Sequence, residues 1–228
     1  RLEEALIRLS QFVIDFPEVD ELDMNPVVVK DRQPTAVDAR IILKRTDAAS
    51  PHHLVISPYP DQYVYRETTE EGEKIRVRPI QPEDAPLFED LFDNLSKESI
   101  YKRFFRQIKF PSREMIARFT QIDYDREMAL TAIEEGKMVG VARIMGDPDG
   151  RTGEFAVMVG DPWQGRGIGA VLLWRCLQIM KERSMEMVWG AVMPENRGML
   201  RLGEKLGFEA EYDQKARAYR MTIDLAEF

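Results

Sequence analysis

The segment Asp161-Pro162-Trp163-Gln164-Gly165-Arg166-Gly167-Ile168-Gly169-Ala170 limits what this chain can be more than any other. Before it runs Glu154-Phe155-Ala156-Val157-Met158-Val159, a short stretch with strand character. After it, Ile168, Val171, Leu172, Cys176 and Ile179 recur at helical spacing. The order is therefore strand, glycine-rich turn, helix. Glycines at 165, 167 and 169 permit backbone conformations closed to other residues and let a ligand come close. Amide N–H groups at such a helix N-terminus point outward, where the helix dipole favours negative charge. The guest that suits this arrangement is a pyrophosphate, although the same residues could also serve as a plain turn that starts a helix.

Three phosphate loops compete. A Walker loop ends in Gly-Lys-Ser/Thr, and here Gly169 is followed by Ala170 and Val171, which excludes it. A dinucleotide fingerprint needs three glycines spread over six positions and an acidic residue after the next strand, a spacing absent here. What remains is Gln-x-x-Gly-x-Gly-Ala. From Gln164 to Ala170 the chain resembles the coenzyme A pyrophosphate loop of the GNAT acetyltransferase superfamily, and Glu195-Asn196 and Lys205-Leu206-Gly207-Phe208 strengthen the likeness. The resemblance implies acetyl-CoA or coenzyme A as co-substrate, held by Gln164, Gly165, Arg166, Gly167, Ile168, Gly169 and Ala170.

Composition narrows the class further. The chain has 228 residues, 44% hydrophobic, so it can build a core, and no apolar run approaches a membrane span. A net charge of −8 argues against nucleic acid as a partner, while a protein offering lysine is compatible with it. The one cysteine excludes an internal disulfide and suits a reducing compartment, so the expected location is the cytoplasm. Cys176, on the apolar side of its helix, is expected to be an inert core thiol. No leader is visible, and Arg1 falls inside a helical pattern, as expected of a piece of something longer.

Residues 2–16 pattern as an amphipathic helix with Leu2, Leu6, Leu9, Val13 and Phe16 on one side, stopped by Pro17. A strand interrupted at Asn25-Pro26 and a second over Thr35–Leu43 follow. Glu-Leu-Asp-Met-Asn-Pro, then Ala-Val-Asp-Ala-Arg, is similar to the end of the ATP-grasp domain in ADP-forming acyl-CoA synthetases. That likeness implies magnesium ligation by Asn25 and Asp38, but the chain supplies no nucleotide-binding lysine or phosphate-covering loop, so a remnant without a metal is expected. Residues 46–73 read as a polar linker. Within it Ser50-Pro51, Ser57-Pro58 and Tyr59-Pro60 favour extended chain, and His52 and His53 lack a third ligand for zinc. Thr68–Glu73 is expected to be a solvated hairpin tip.

Over residues 74–226 the expected order is β-α-α-α-β-β-β-α-β-α-β-β. It opens on Arg78-Pro79 and Asp84 and matches the GNAT fold: a mixed, mostly antiparallel sheet flanked by helices, here preceded by the ATP-grasp remnant of residues 1–45. Tyr101-Lys102-Arg103-Phe104-Phe105-Arg106 mixes aromatics with cations, and core aromatics with a solvated basic face are expected there.

Transfer of an acetyl group to an amine needs an anchored donor, a polarised carbonyl and a neutral amine. By resemblance, the strand before the loop splays from its neighbour and frees the amides of Val157, Met158 and Val159 for the pantetheine arm and the thioester oxygen; the alternative is that they are paired in the sheet. Asn196 resembles the residue that binds the pantetheine arm, with helix N-capping as its competing role. Glu154 shares a strand face with Ala156 and Met158 and is the candidate general base, against the alternative of an exposed strand-end carboxylate. Many family members carry a Tyr seven residues after the Asn to protonate the leaving thiolate; here Gly203 stands there. An ATP-grasp region ahead of a GNAT domain resembles the bacterial protein lysine acetyltransferases that modify acyl-CoA synthetases. The expectation is direct acetyl transfer to lysine of such a protein, the upstream ligase-like domains being the further partner. A small-amine acetyltransferase and a coenzyme A-binding regulatory module are the alternatives.

Overall fold

The computed structural model describes residues 2–30, 33–47, 54 and 57–228. The chain divides into two units, Arg1–Pro58 and Tyr59–Phe228. In the first, α1 (Leu2–Asp15) ends before Pro17 and is followed by β1 (Val19–Asp23), β2 (Val27–Lys30), β3 (Gln33–Ala36) and β4 (Arg40–Leu43). The strand expected over Thr35–Leu43 is thus two: β3 pairs with β2, and β4 returns antiparallel to β1. Because β2–β3 is nested between β1 and β4, the joints carrying Asn25 and Asp38 come to the same end, where Val37 N donates to Pro26 O at 3.0 Å. The Asn25-Pro26 peptide is cis. Leu2, Leu6, Ile7, Phe16, Val29 and Leu43 are exposed, and Val19 is this unit's buried hydrophobic residue, so its described residues close almost no core. Ser50-Pro51, His52 and His53 lie outside the described residues.

The second unit is a single sheet in the order β11-β12-β10-β9-β8-β7-β6-β5, with helices on both faces. Its strands are β5 (Tyr65–Thr68), β6 (Lys74–Pro79), β7 (Glu127–Glu134), β8 (Lys137–Gly146), β9 (Thr152–Val159), β10 (Met187–Val192), β11 (Glu209–Asp213) and β12 (Ala218–Asp224). All pairs are antiparallel except β9–β10. The unit starts at Tyr59, and the tract expected as linker contributes its edge strand β5. With Arg66 and Glu67 in its four residues, β5 was hidden by its polarity. Its inward positions are nonetheless filled: the Arg175 guanidinium lies 4.2 Å from the Tyr65 ring centroid and ion-pairs with Glu67.

Three helices, α2 (Ala85–Asp93), α3 (Lys97–Phe104) and α4 (Arg113–Thr120), follow β6. The Arg78…Asp84 spacing is explained by a staple: both Nη atoms of Arg78 donate to the buried Asp84 carboxylate, which also accepts from Gln81 N at 2.8 Å and fixes where α2 begins. Ser96 and Ser112 cap α3 and α4. Phe88, Leu91 and Ile116 pack with Ala129, Val141 and Met158 to form the core on this face. On the other face lies α5 (Ile168–Glu182), which buries Ile168, Leu172, Leu173, Cys176, Leu177, Ile179 and Met180 against β7, β8 and β9. The Cys176 thiol is fully buried, and burial pushes its pKa up to about 12, so it is held as an inert neutral thiol. The last helix is α6 (Arg197–Lys205). No helix among the described residues is long and apolar enough to cross a membrane.

The ring of Phe155 lies over the backbone of Gly190 and packs edge-on to Phe208 at 5.0 Å; a Cβ at Gly190 would sit 2.5 Å from it. Gly190→Val should therefore displace that ring and lower stability by about 1–3 kcal/mol in urea titrations. An unchanged midpoint would show that the ring has room to move.

Candidate active site

Strands β9 and β10 begin together and then separate. Their parallel pairing covers Met187↔Thr152, Val188↔Gly153 and Trp189↔Glu154 and stops there, whereas β9 stays paired to β8 from Gly153 to Val159. The bonds Asp147 N to Thr152 O (2.8 Å) and Gly160 N to Val139 O (3.0 Å) bracket that ladder. By the alternation of an unbulged strand, residues 154, 156 and 158 turn their backbone groups into β8, while 155, 157 and 159 turn theirs toward β10, which has parted from β9 by 157 and 159. Val157 and Val159 therefore present N–H groups to the cleft. Met158 does not: its amide faces Val141, and it contributes its buried side chain instead.

The loop after β9 is braced from outside. Gln164 Nε2 donates to Val159 O (3.1 Å), Asp161 Oδ1 (3.0 Å) and Ser99 Oγ (3.2 Å), so its amide nitrogen is committed to holding the loop. Asp161 also accepts from Ser99 Oγ (2.7 Å) and Ser96 N (3.1 Å), which pins the loop to the N-terminus of α3, where a carboxylate is favoured. Trp163 Nε1 donates to Glu134 at 2.7 Å. Gly165 and Gly167 both have φ +76, a left-handed conformation that favours glycine. A Cβ at Gly169 would come within 3.2 Å of Leu202, so this glycine lets α6 approach. Amides 165 to 169 have no protein acceptor among the described residues, and these outward N–H groups at the start of α5 form a cradle that could hold a pyrophosphate. The Ala170 amide is not part of it, being bonded to Gly167 O at 3.1 Å within the first helical turn; Ile168 is buried and contributes through its backbone.

Asn196 Oδ1 accepts from Met199 N at 3.2 Å and caps α6. That leaves its Nδ2 without a partner among the described residues, so the capping and ligand-binding roles are compatible. A Cβ at Gly203 would meet Met221 Cε at 1.9 Å, so any side chain there, a Tyr included, requires the end of Met221 to move.

Glu154 stands at the last paired position before the strands part. Its side chain is exposed rather than embedded in apolar surroundings, and has no hydrogen-bond or ion-pair partner among the described residues. On the same face of β9, Ala156 and Met158 line a small cavity with Phe88, Arg103, Phe104, Phe119, Val141 and Arg143. Sequence reasoning missed its two cations. Arg143 is buried and satisfied: Nη1 donates to Glu127 (2.6 Å), Nη2 to Phe119 O (3.0 Å), and the guanidinium lies 4.3 Å from the Phe119 ring centroid. Arg103 is held down to a pKa of about 10, first by burial and then by Arg143, against the opposing pull of Glu154 and Glu127. It remains a cation at neutral pH, within electrostatic reach of Glu154. Within the basic-aromatic run, Phe104 joins the core as expected, while Tyr101 and Phe105 are exposed. No group of three His, Cys, Asp or Glu able to hold a metal occurs among the described residues.

The family model for the acetyltransferase (GNAT) family matches residues 95–208, spanning α3, the parted strands, the loop and α6. The chain belongs to the GNAT acetyltransferase family. A model described as an ATP-grasp domain matches residues 1–43. This GNAT protein is 28% identical over 151 residues to Acetyltransferase PA5475 of Pseudomonas aeruginosa, covering 64% of the chain and 81% of the relative. It is 27% identical over 139 residues to Acetyltransferase Pat of Mycolicibacterium smegmatis, covering 60% of the chain but 41% of that longer relative. Among solved structures, the GNAT domain of S. lividans PAT superposes with a TM-score of 0.69 at 26% identity, over 73% of this chain and 99% of that one. YncA of Salmonella typhimurium, solved with acetyl-CoA, shares the fold at 18% identity (TM-score 0.57, over 68% of this chain and 95% of that one). Gly167→Glu should reduce acetyl-CoA affinity in calorimetry by about ten- to a hundredfold, since it sets a strained side chain and a negative charge on the cradle. Unchanged affinity in a folded variant would contradict the cradle's role.

Proposed function

We propose that this acetyltransferase moves an acetyl group from acetyl-CoA directly to a lysine side chain of a protein, with acyl-CoA synthetases as the acceptor class. The observation that carries the reading is the parting of β9 and β10 immediately beyond Glu154, which opens one cleft to the loop on one side and to a carboxylate on the other. The ATP-grasp match ahead of the GNAT match supports the acceptor class, because that order resembles bacterial protein lysine acetyltransferases acting on acyl-CoA synthetases. The cytoplasm is the proposed compartment.

In this reading the cradle from Gly165 to Gly169 binds the pyrophosphate, and Asn196 Nδ2 and the Val157 and Val159 amides bind the pantetheine arm and the thioester oxygen. An N–H aimed at an oxygen that gains charge acts most strongly where water is excluded. The acceptor enters on the face of Ala156 and Met158, between α3 and α4. A free lysine has a pKa of about 10.4 and is mostly protonated at neutral pH. Arg103 and Arg143 lower that value by like-charge repulsion, and exposed Glu154 accepts the proton directly or through one water. As the new N–C bond forms, the C–S bond breaks and the sulfur leaves as thiolate. A thiolate is a good enough leaving group to depart without an acid from the chain, and Gly203 offers none.

Incubation with acetyl-CoA, an acyl-CoA synthetase and a panel of small amines tests the acceptor class: acetyl-lysine on the synthetase is expected, and acetylation of a small amine alone would overturn it. Glu154→Gln should lower turnover by about 10²–10⁴-fold with acetyl-CoA affinity nearly intact. Its residual rate should climb with pH as more lysine deprotonates unaided. Wild-type turnover in this variant at neutral pH would mean that the proton leaves to water and that Glu154 is no base.

A further inference from the structure

The turn between β5 and β6 is not a free solvated tip. Thr69 is buried, its N–H donates to Glu73 O (2.9 Å) and its Oγ1 accepts from Glu73 N (3.1 Å), while Gly72 N closes onto Thr69 O (2.9 Å). Held in this way, the turn leans three carboxylates on the pyrophosphate loop and its neighbour. Glu73 Oε1 is 3.5 Å from Arg166 Nη1. Glu70 ion-pairs with Lys205 at the end of α6. Glu71 lies over the cradle itself: Oε2 is 2.2 Å from where a Cβ of Gly167 would stand.

The three contacts share a logic. A helix N-terminus with unbonded amides and two nearby cations favours a polyanion, and here it faces carboxylates from its own chain. The Lys205–Glu70 pair is solvent-exposed and the Arg166–Glu73 pair is half-buried at 3.5 Å, so each contributes little and breaks readily. Glu71 makes no hydrogen bond to the cradle amides and has only side-chain rotamers to change in order to leave.

We infer that the turn Thr69–Glu73 is a counter-anion built into the donor site: Glu71 covers the pyrophosphate cradle while Glu73 and Glu70 occupy Arg166 and Lys205, so coenzyme A binds as these side chains are displaced. This rests on the proposed role of the loop. The turn then sets donor affinity, because apparent affinity falls by the fraction of molecules whose cradle is uncovered. It also flattens the salt dependence of binding, since the cations that would attract phosphate are already neutralised.

The test is calorimetry of acetyl-CoA binding to the wild-type chain and to a Glu70→Gln/Glu71→Gln/Glu73→Gln variant, at low and high salt, with circular dichroism to confirm equal folding. The variant should bind about tenfold or more tightly at low salt, and the gap should narrow as salt screens the charges. A Glu71→Asp single variant, which keeps the charge, should stay near wild type. Equal or weaker binding by the triple variant would overturn the inference while leaving the loop assignment standing. Absence of binding by both proteins would overturn the loop assignment and this inference with it.

Discussion

The site depends on the point at which β9 and β10 stop pairing. Up to Glu154 and Trp189 the two strands share a ladder; beyond it each keeps only its outer neighbour, β8 or β12. Backbone groups left unpaired inside a sheet are costly unless a ligand or solvent satisfies them, so an opening of this kind offers donors to a ligand that brings acceptors. It also sorts functions along one strand. Val157 and Val159 turn their amides to the cleft, while the even-numbered residues Glu154, Ala156 and Met158 share one face of the strand. In the proposed mechanism donor and acceptor therefore use different groups of the same strand.

Holding that opening requires rigidity on the loop side. Asp161 and Gln164 tie the loop to Ser96 and Ser99 of α3 and back to Val159, and Trp163 ties it to Glu134. The glycines leave the cradle uncovered by side chains of its own. On the acceptor side, Arg143 is anchored by Glu127 and Phe119, so a buried cation stands fixed behind the face on which the acceptor is proposed to enter. Burial without that pairing would be prohibitive.

The loop, its flanking strand and helix and the order of elements were legible because each is a local pattern: a glycine spacing, a two-residue or a helical period. What escaped depends on contacts far apart in sequence. Edge strand β5 is too short and charged to announce itself, and its anchor, Arg175, lies 108 residues away from Glu67. Arg103 and Arg143 resemble solvated surface cations until the fold brings α3 and β8 to one cavity. The error at Met158 was one of phase, since the likeness named three successive amides where an unbulged strand can turn only alternate ones outward. Ala170 and Gln164 were expected to bind, but helix geometry and loop bracing claim their polar groups first.

Amide hydrogen exchange with and without acetyl-CoA reads the individual N–H groups of the opening and the loop. Protection should appear at Val157, Val159 and the amides from Gly165 to Gly169, with Met158, already bonded in the ladder, unchanged by the ligand. Protection confined elsewhere, or no change at the parted strand and the loop in a protein that binds acetyl-CoA, would contradict the account.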